Sequence, residues 1–202
     1  GAGPPEVVVN LTQQDGAGFP GGRIAILDGR TGAVLVAGIP HAPPVSYGSH
    51  GRSTIAVGDV SGDALPDVIY ASRVDAAFKS AIVAIDRTGA VLWTSHDPGG
   101  AAHRFVIENA AVTLANFDGD AMAEIVIGGA LLDHDGTVLW DQGGNGAGPT
   151  LGTNATYTGG IAAVADLDGD GRPEIITGKQ AWRVTWNAGP PASATVTAYW
   201  TR

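Results

Sequence analysis

The chain has 202 residues, a formal net charge of −9, a sequence pI of about 4.7, no cysteine, 31 glycines and 12 prolines. No cysteine means no disulfide framework, thiolate metal site or cysteine nucleophile, and 11 Lys+Arg against 20 Asp+Glu leave no basic footprint for nucleic acid or an anionic membrane surface. At 44% hydrophobic the chain can build a core, yet no apolar run approaches the roughly 18 residues of a membrane span, so membrane insertion is not expected.

In chain order, GAGPPEVVVN at 1–10 has no basic region followed by an apolar stretch, so it contains no signal peptide, and secretion stays open. EVVVN at 6–10 reads as a β-strand. RIAIL at 23–27 and AVLV at 33–36, joined through Thr31 and Gly32, read as a hairpin. The pattern returns as STIAVG (53–58), VIY (68–70), AIVAI (81–85) and VLW (91–93). It returns again as AVTLA (111–115), IVI (125–127), ALL (130–132) and VLW (138–140), and once more from IAAVA (161–165) through IIT (175–177) to AYWT (198–201). No apolar pattern persists at helical spacing for 10 to 12 residues without glycine or proline, so almost no helix is expected.

Between the first two strands of three units lie nine-residue acidic loops that align without gaps: DVSGDALPD at 59–67, NFDGDAMAE at 116–124 and DLDGDGRPE at 166–174. Glu6 matches the ninth position of a fourth copy, and the successive spacings Glu6–Asp67, Asp67–Glu124 and Glu124–Glu174 are 61, 57 and 50 residues. Four short strands repeated at that period fit the blades of a β-propeller. The expected fold class is therefore all-β, a propeller of four-stranded antiparallel blades at about 1–52, 53–109, 110–160 and 161–202, forming one domain or partial ring.

Acidic or amide residues at positions 1, 3 and 5 with a carboxylate at 9 suit a hard divalent cation. Calcium takes 6 to 8 oxygen ligands, and without nitrogen or sulfur donors the set disfavours zinc and copper. The expected ligands are Asp166, Asp168, Asp170 and Glu174 with the Arg172 carbonyl; Asn116, Asp118, Asp120 and Glu124 with that of Met122; and Asp59, Ser61, Asp63 and Asp67 with that of Leu65. About three Ca²⁺ are expected, bound most tightly at 166–174 and most weakly at 59–67, where serine holds position 3. An EF-hand needs Glu at position 12, but that position holds Tyr70, Ile127 and Thr177.

The apolar strand, the D-x-D-G-D-G-x-P-E loop and the short strand after it resemble the FG-GAP and VCBS repeats of integrin-α-like β-propellers. The resemblance implies a six- to eight-bladed ring, typically seven, with calcium in these loops, in secreted or surface proteins that bind protein or glycan. Seven units of this length need about 390 residues, so the remaining blades are expected from a missing segment or a second chain. The long loops share the face opposite the acidic loops and carry Tyr47, His50, Arg52, His103, Arg104, Asn154 and Tyr157 as candidate ligand contacts. No nucleophile elbow, HExxH or phosphate loop is visible, so a binding or adhesion module is expected and not an enzyme. The alternative is a non-catalytic propeller part of a polysaccharide-degrading enzyme, or of a quinoprotein-like one, since AIDRTGAVLW at 84–93 resembles a tryptophan-docking repeat.

Overall fold

The computed structural model describes residues 5–14, 20–37, 41–42, 45–46, 48–75, 79–105, 111–142, 161–178, 180–187, 189 and 192–201. Among them there is no helix, and the protein is all-β. The first sheet contains β1 (Glu6–Gln14), β2 (Pro20–Asp28) and β3 (Val34–Val36). The segment that follows was expected to be loop alone. It forms a two-stranded ribbon, β4 (His41–Ala42) with β5 (Val45–Ser46), and then β6 (Ser49–His50), which returns to β2 through Gly21 and Gly22. Buried polar groups fix that return: the Asn10 side-chain amide donates to the His50 and Ser53 carbonyls at 3.1 Å, and the Ser49 hydroxyl donates to Asn10 Oδ1 at 2.6 Å.

Three further four-stranded antiparallel sheets follow. The second has β7 (Ile55–Gly58), β8 (Asp67–Ala71), β9 (Ile82–Ile85) and β10 (Val91–Thr94); the third has β11 (Val112–Ala115), β12 (Glu124–Ile127), β13 (Ala130–Leu132) and β14 (Val138–Asp141). The fourth has β15 (Ala163–Ala165), β16 (Glu174–Thr177), β17 (Gln180–Asn187) and β18 (Ser193–Thr201). Each is a meander paired in sequence order, and the sheets do not close into a barrel. Among the described residues β1 pairs only with β2.

The continuous apolar runs of β8 and β12 are explained by burial on both faces, because successive side chains on a strand point to opposite sides. Val68 and Tyr70 pack with Ile24 and Ile26 of the first sheet, while Ile69 and Ala71 pack with Ile125, Ile127 and Leu132 of the third. Val126 and Leu131 then pack with Ile175 and Val184 of the fourth. Each such Ile, Leu or Val contributes about 1.5–3 kcal/mol by leaving water. The first strands of neighbouring sheets also touch: Val112 N–H donates to Thr54 Oγ1 and Thr113 Oγ1 donates to the Ala162 carbonyl, both at 3.2 Å.

At the outer junction of the second and third sheets, the β13–β14 turn holds Gly136 at φ 89°. A Cβ there would lie 2.6 Å from Cε3 of Trp93. Gly136→Ala combines a left-handed backbone cost of about 1 kcal/mol with overpacking of about 1–3 kcal/mol. We expect it to lower the denaturation midpoint by an amount equivalent to at least about 2 kcal/mol, whereas Gly99→Ala, whose added Cβ meets nothing within 4 Å, is near neutral. Equal midpoints for the two variants would contradict this account of the junction.

Candidate functional site

The three acidic loops each join the first and second strands of a sheet, and each closes on its own carboxylates. Position 1 caps the turn: Asp59 Oδ1 accepts from Gly62 N–H at 2.7 Å and Asp59 Oδ2 from Ala64 N–H at 2.9 Å; Asp166 accepts from Gly169 at 2.7 Å and Gly171 at 2.9 Å. These bonds require left-handed backbone at positions 4 and 6. Gly62 (φ 80°), Gly169 (77°) and Gly171 (85°) adopt it freely, and Ala64 (63°) does so against its Cβ. Asn116 has one acceptor oxygen, which takes Gly119 N–H at 2.6 Å, while its amide donates to the Asp120 carbonyl at 2.5 Å.

The ninth residue lies inside. Asp67, Glu124 and Glu174 are buried, each accepting N–H bonds from the start of its loop: Asp67 from Val60 and Ser61 at 3.1 Å, Glu124 Oε2 from Phe117 at 2.6 Å, and Glu174 Oε2 from Leu167 at 2.8 Å. Carboxylate oxygens of Asp118, Asp120 and Glu124 lie within 4.8 Å of one another, and so do those of Asp166, Asp168 and Glu174. These two clusters could hold a metal ion. Asp59, Asp63 and Asp67 form no such group among the described residues. Ser61 and Leu65 bond within their loop, and Met122 and Arg172 donate N–H to Asp120 and Asp170 at 2.7 and 2.8 Å.

Glu124 stands apart. It is fully buried and its Oε1 has no hydrogen-bond partner. Burial pushes its carboxyl up from 4.5 to about 7; the Phe117 N–H opposes that rise, and the nearby charges of Asp118, Asp120 and Asp133 add to it. Asp133 and His134 form a further group with Glu124 within 4.8 Å. Burial likewise holds the Asp133 carboxyl above its usual range, and His134 Nδ1 lies 2.9 Å from Asp133 Oδ1.

Sequence reading did not single out Asp133, His134 or Arg183, although a signal exists. Position 9 pairs across the ladder with the strand that follows: Glu6 opposes Asp28 at the end of β2, and Glu174 opposes Arg183 within β17. One step beyond Ile125–Leu132, Glu124 and Asp133 come together in one group. Asp28 and Asp86 accept bonds from their own turns, Asp28 from Thr31 N–H at 2.7 Å and Asp86 from Thr88 N–H at 2.8 Å.

The other candidate contacts are spread through the fold. His50 is buried in the first sheet, its Nδ1 accepting Arg52 N–H at 3.3 Å, and burial pushes its imidazole below the usual histidine range. His103 is buried between the second and third sheets, with Nδ1 2.6 Å from Asp97 Oδ1, Nε2 3.0 Å from Asp141 Oδ2 and its ring against Phe105. Arg104 pairs with Asp75 at 3.1 Å. Tyr47, Asn154 and Tyr157 lie outside the described residues. A cleft of about 340 Å³ opens on the acidic-loop side, between loops 116–124 and 166–174, lined by Asn116, Asp118, Arg172, Val184 and Trp186 among others.

No protein-family model matches the chain, and no curated protein does. Solved structures do. The chain is similar to a Bacillus licheniformis rhamnogalacturonan lyase PL11 at 18% identity and TM-score 0.53, covering 98% of this chain and 37% of that one. It is similar to rhamnogalacturonan lyase YesW (18%, TM-score 0.51, 96% and 41%) and to the exotype rhamnogalacturonan lyase YesX (18%, 0.51, 97% and 35%). The chain thus spans well under half the length of these proteins, and what it shares with that part of them is the fold.

Proposed function

We propose that the chain is a non-catalytic, calcium-stabilised β-propeller segment of an extracellular or cell-surface protein that binds carbohydrate. In this reading the units 1–52, 53–109, 110–160 and 161–202 are consecutive blades of the FG-GAP/VCBS kind, and further sequence or a second chain completes the ring beyond β1. The fold likeness to rhamnogalacturonan lyases favours a polysaccharide over a protein ligand. No helix is long and apolar enough to cross a membrane among the described residues.

The observation that carries the reading is the cleft beside loop 116–124. It combines an aromatic wall, Trp186, with a guanidinium, Arg172, next to a carboxylate cluster able to hold a cation. An indole packs on the apolar face of a sugar ring, and a cation with a guanidinium attracts a sugar carboxylate. An acidic polysaccharide fits that combination. The test is a glycan array that includes uronate oligosaccharides, probed in calcium and in chelator. Retention of acidic glycans in calcium, lost in chelator and weakened at least about tenfold by Trp186→Ala, is expected. A folded, calcium-loaded protein that retains no glycan overturns the carbohydrate reading.

A further inference from the structure

The residue across the ladder from position 9 differs between the two loops whose carboxylates converge. In the fourth sheet it is Arg183, whose guanidinium donates to Asp168 Oδ2, lies 3.7 Å through Nε from Glu174 Oε1, and stacks 4.4 Å from the centre of the Tyr199 ring. In the third sheet, one step past the Ile125–Leu132 pair, it is Asp133, which groups with Glu124. Its hairpin turn is held in part by Asp135, which accepts Thr137 N–H at 2.8 Å, and the Asp133 carboxylate groups with Glu124 and His134, its Oδ1 accepting the His134 N–H at 2.8 Å.

We propose that this cross-strand position sets which loop takes the cation: Arg183 is the built-in counter-charge of loop 166–174 and weakens its calcium binding, while Asp133 is an additional carboxylate that makes loop 116–124 the tighter site. The inference rests on the calcium reading above, and it reverses the order that counting loop carboxylates predicts. Two physical facts support it. A guanidinium already bonded to Asp168 and stacked on Tyr199 must be displaced, or tolerated as a like charge, before a divalent cation can bind there. On the other side, Glu124 is fully buried with Oε1 unpartnered, an acceptor that lacks the positive charge its neighbour Glu174 receives from Arg183. Calcium affinity rises with the number of charged ligands in a site, and Asp133, in a group with Glu124 and His134 that adjoins the Asp118–Asp120–Glu124 cluster through Glu124, adds a carboxylate from outside the nine-residue loop.

The experiment is calcium titration by calorimetry of the whole chain and of single variants, each checked for folding in chelator. The 166–174 site is identified by its loss in Asp168→Asn, and the 116–124 site by its loss in Asp118→Asn. Arg183→Gln, a half-exposed position, is expected to tighten the 166–174 site at least about tenfold, and Arg183→Lys, which keeps the charge, to remain close to the parent chain. Asp133→Asn is expected to weaken the 116–124 site at least about tenfold while leaving the other unchanged. Unchanged affinity in Arg183→Gln, or a parent chain whose 166–174 site is the tighter, overturns the inference. Absence of calcium binding in both the parent chain and Arg183→Gln at millimolar calcium overturns the calcium reading itself.

Discussion

Calcium is expected to raise the melting temperature of the metal-stripped chain by about 5–10 °C for each loop it fills. The figure follows from linkage: a site bound only in the folded state contributes about 2.7 kcal/mol when free calcium is 100-fold above its dissociation constant. In a chain of this length about 1 kcal/mol corresponds to roughly 2–4 °C. Two convergent clusters set the scale, because Asp118, Asp120 and Glu124, and likewise Asp166, Asp168 and Glu174, bring like charges within 4.8 Å on folding. The unfolded chain separates those charges, so their repulsion opposes folding until a cation neutralises it. Scanning calorimetry in calcium, in chelator and in magnesium tests this. Magnesium, which demands a smaller octahedral shell, should stabilise far less, and a melting temperature that ignores chelator would contradict the calcium reading.

Strand positions were legible because β8 and β12 are apolar on both faces and each follows an acidic loop with a turn-forming glycine, a pattern that suits a sheet packed on both sides. The loops were legible for a related reason: Asp, Asn and Gly at fixed offsets are the residues that accept backbone N–H bonds and adopt positive φ. Their differences in chemistry were not legible along the chain. What faces position 9 across the ladder differs between the two convergent loops, and Arg183 and Asp133 lie nine residues beyond Glu174 and Glu124, within β17 and just after β13. Only the register makes the two positions equivalent. The roles of His50 and His103 were hidden in the same way, since a histidine in a long stretch between strands looks available until its partners, Asp97 and Asp141 for His103, are placed around it. The β4–β5 ribbon was missed because strands of two residues carry no period.

The metal-stripped chain should also lose stability as pH rises from about 4.5 to about 7, and Glu124 should account for much of that loss. In the folded chain its carboxyl is pushed up to about 7, first by burial and then by the charges of Asp118, Asp120 and Asp133, against 4.5 for the free group. Below 4.5 the folded and unfolded states are both protonated there, and the group favours neither. Between the two values the folded chain holds a proton that the unfolded chain has released, so the slope of unfolding free energy with pH is negative. Above about 7 the penalty is complete, at about 3 kcal/mol from the size of the shift. Glu124→Gln removes the titration. The difference in stability between parent and variant, measured by denaturant unfolding of metal-stripped protein at pH 4.5, 6 and 7.5, is expected to move by that amount toward the variant. With saturating calcium the order reverses, because the parent's ionised Glu124 is then a ligand and the amide a poorer one. A parent-minus-variant difference that stays constant across the three pH values without calcium would mean that Glu124 Oε1 is solvated or hydrogen-bonded in the folded chain, and would remove that buried, unpartnered oxygen as a basis for the site.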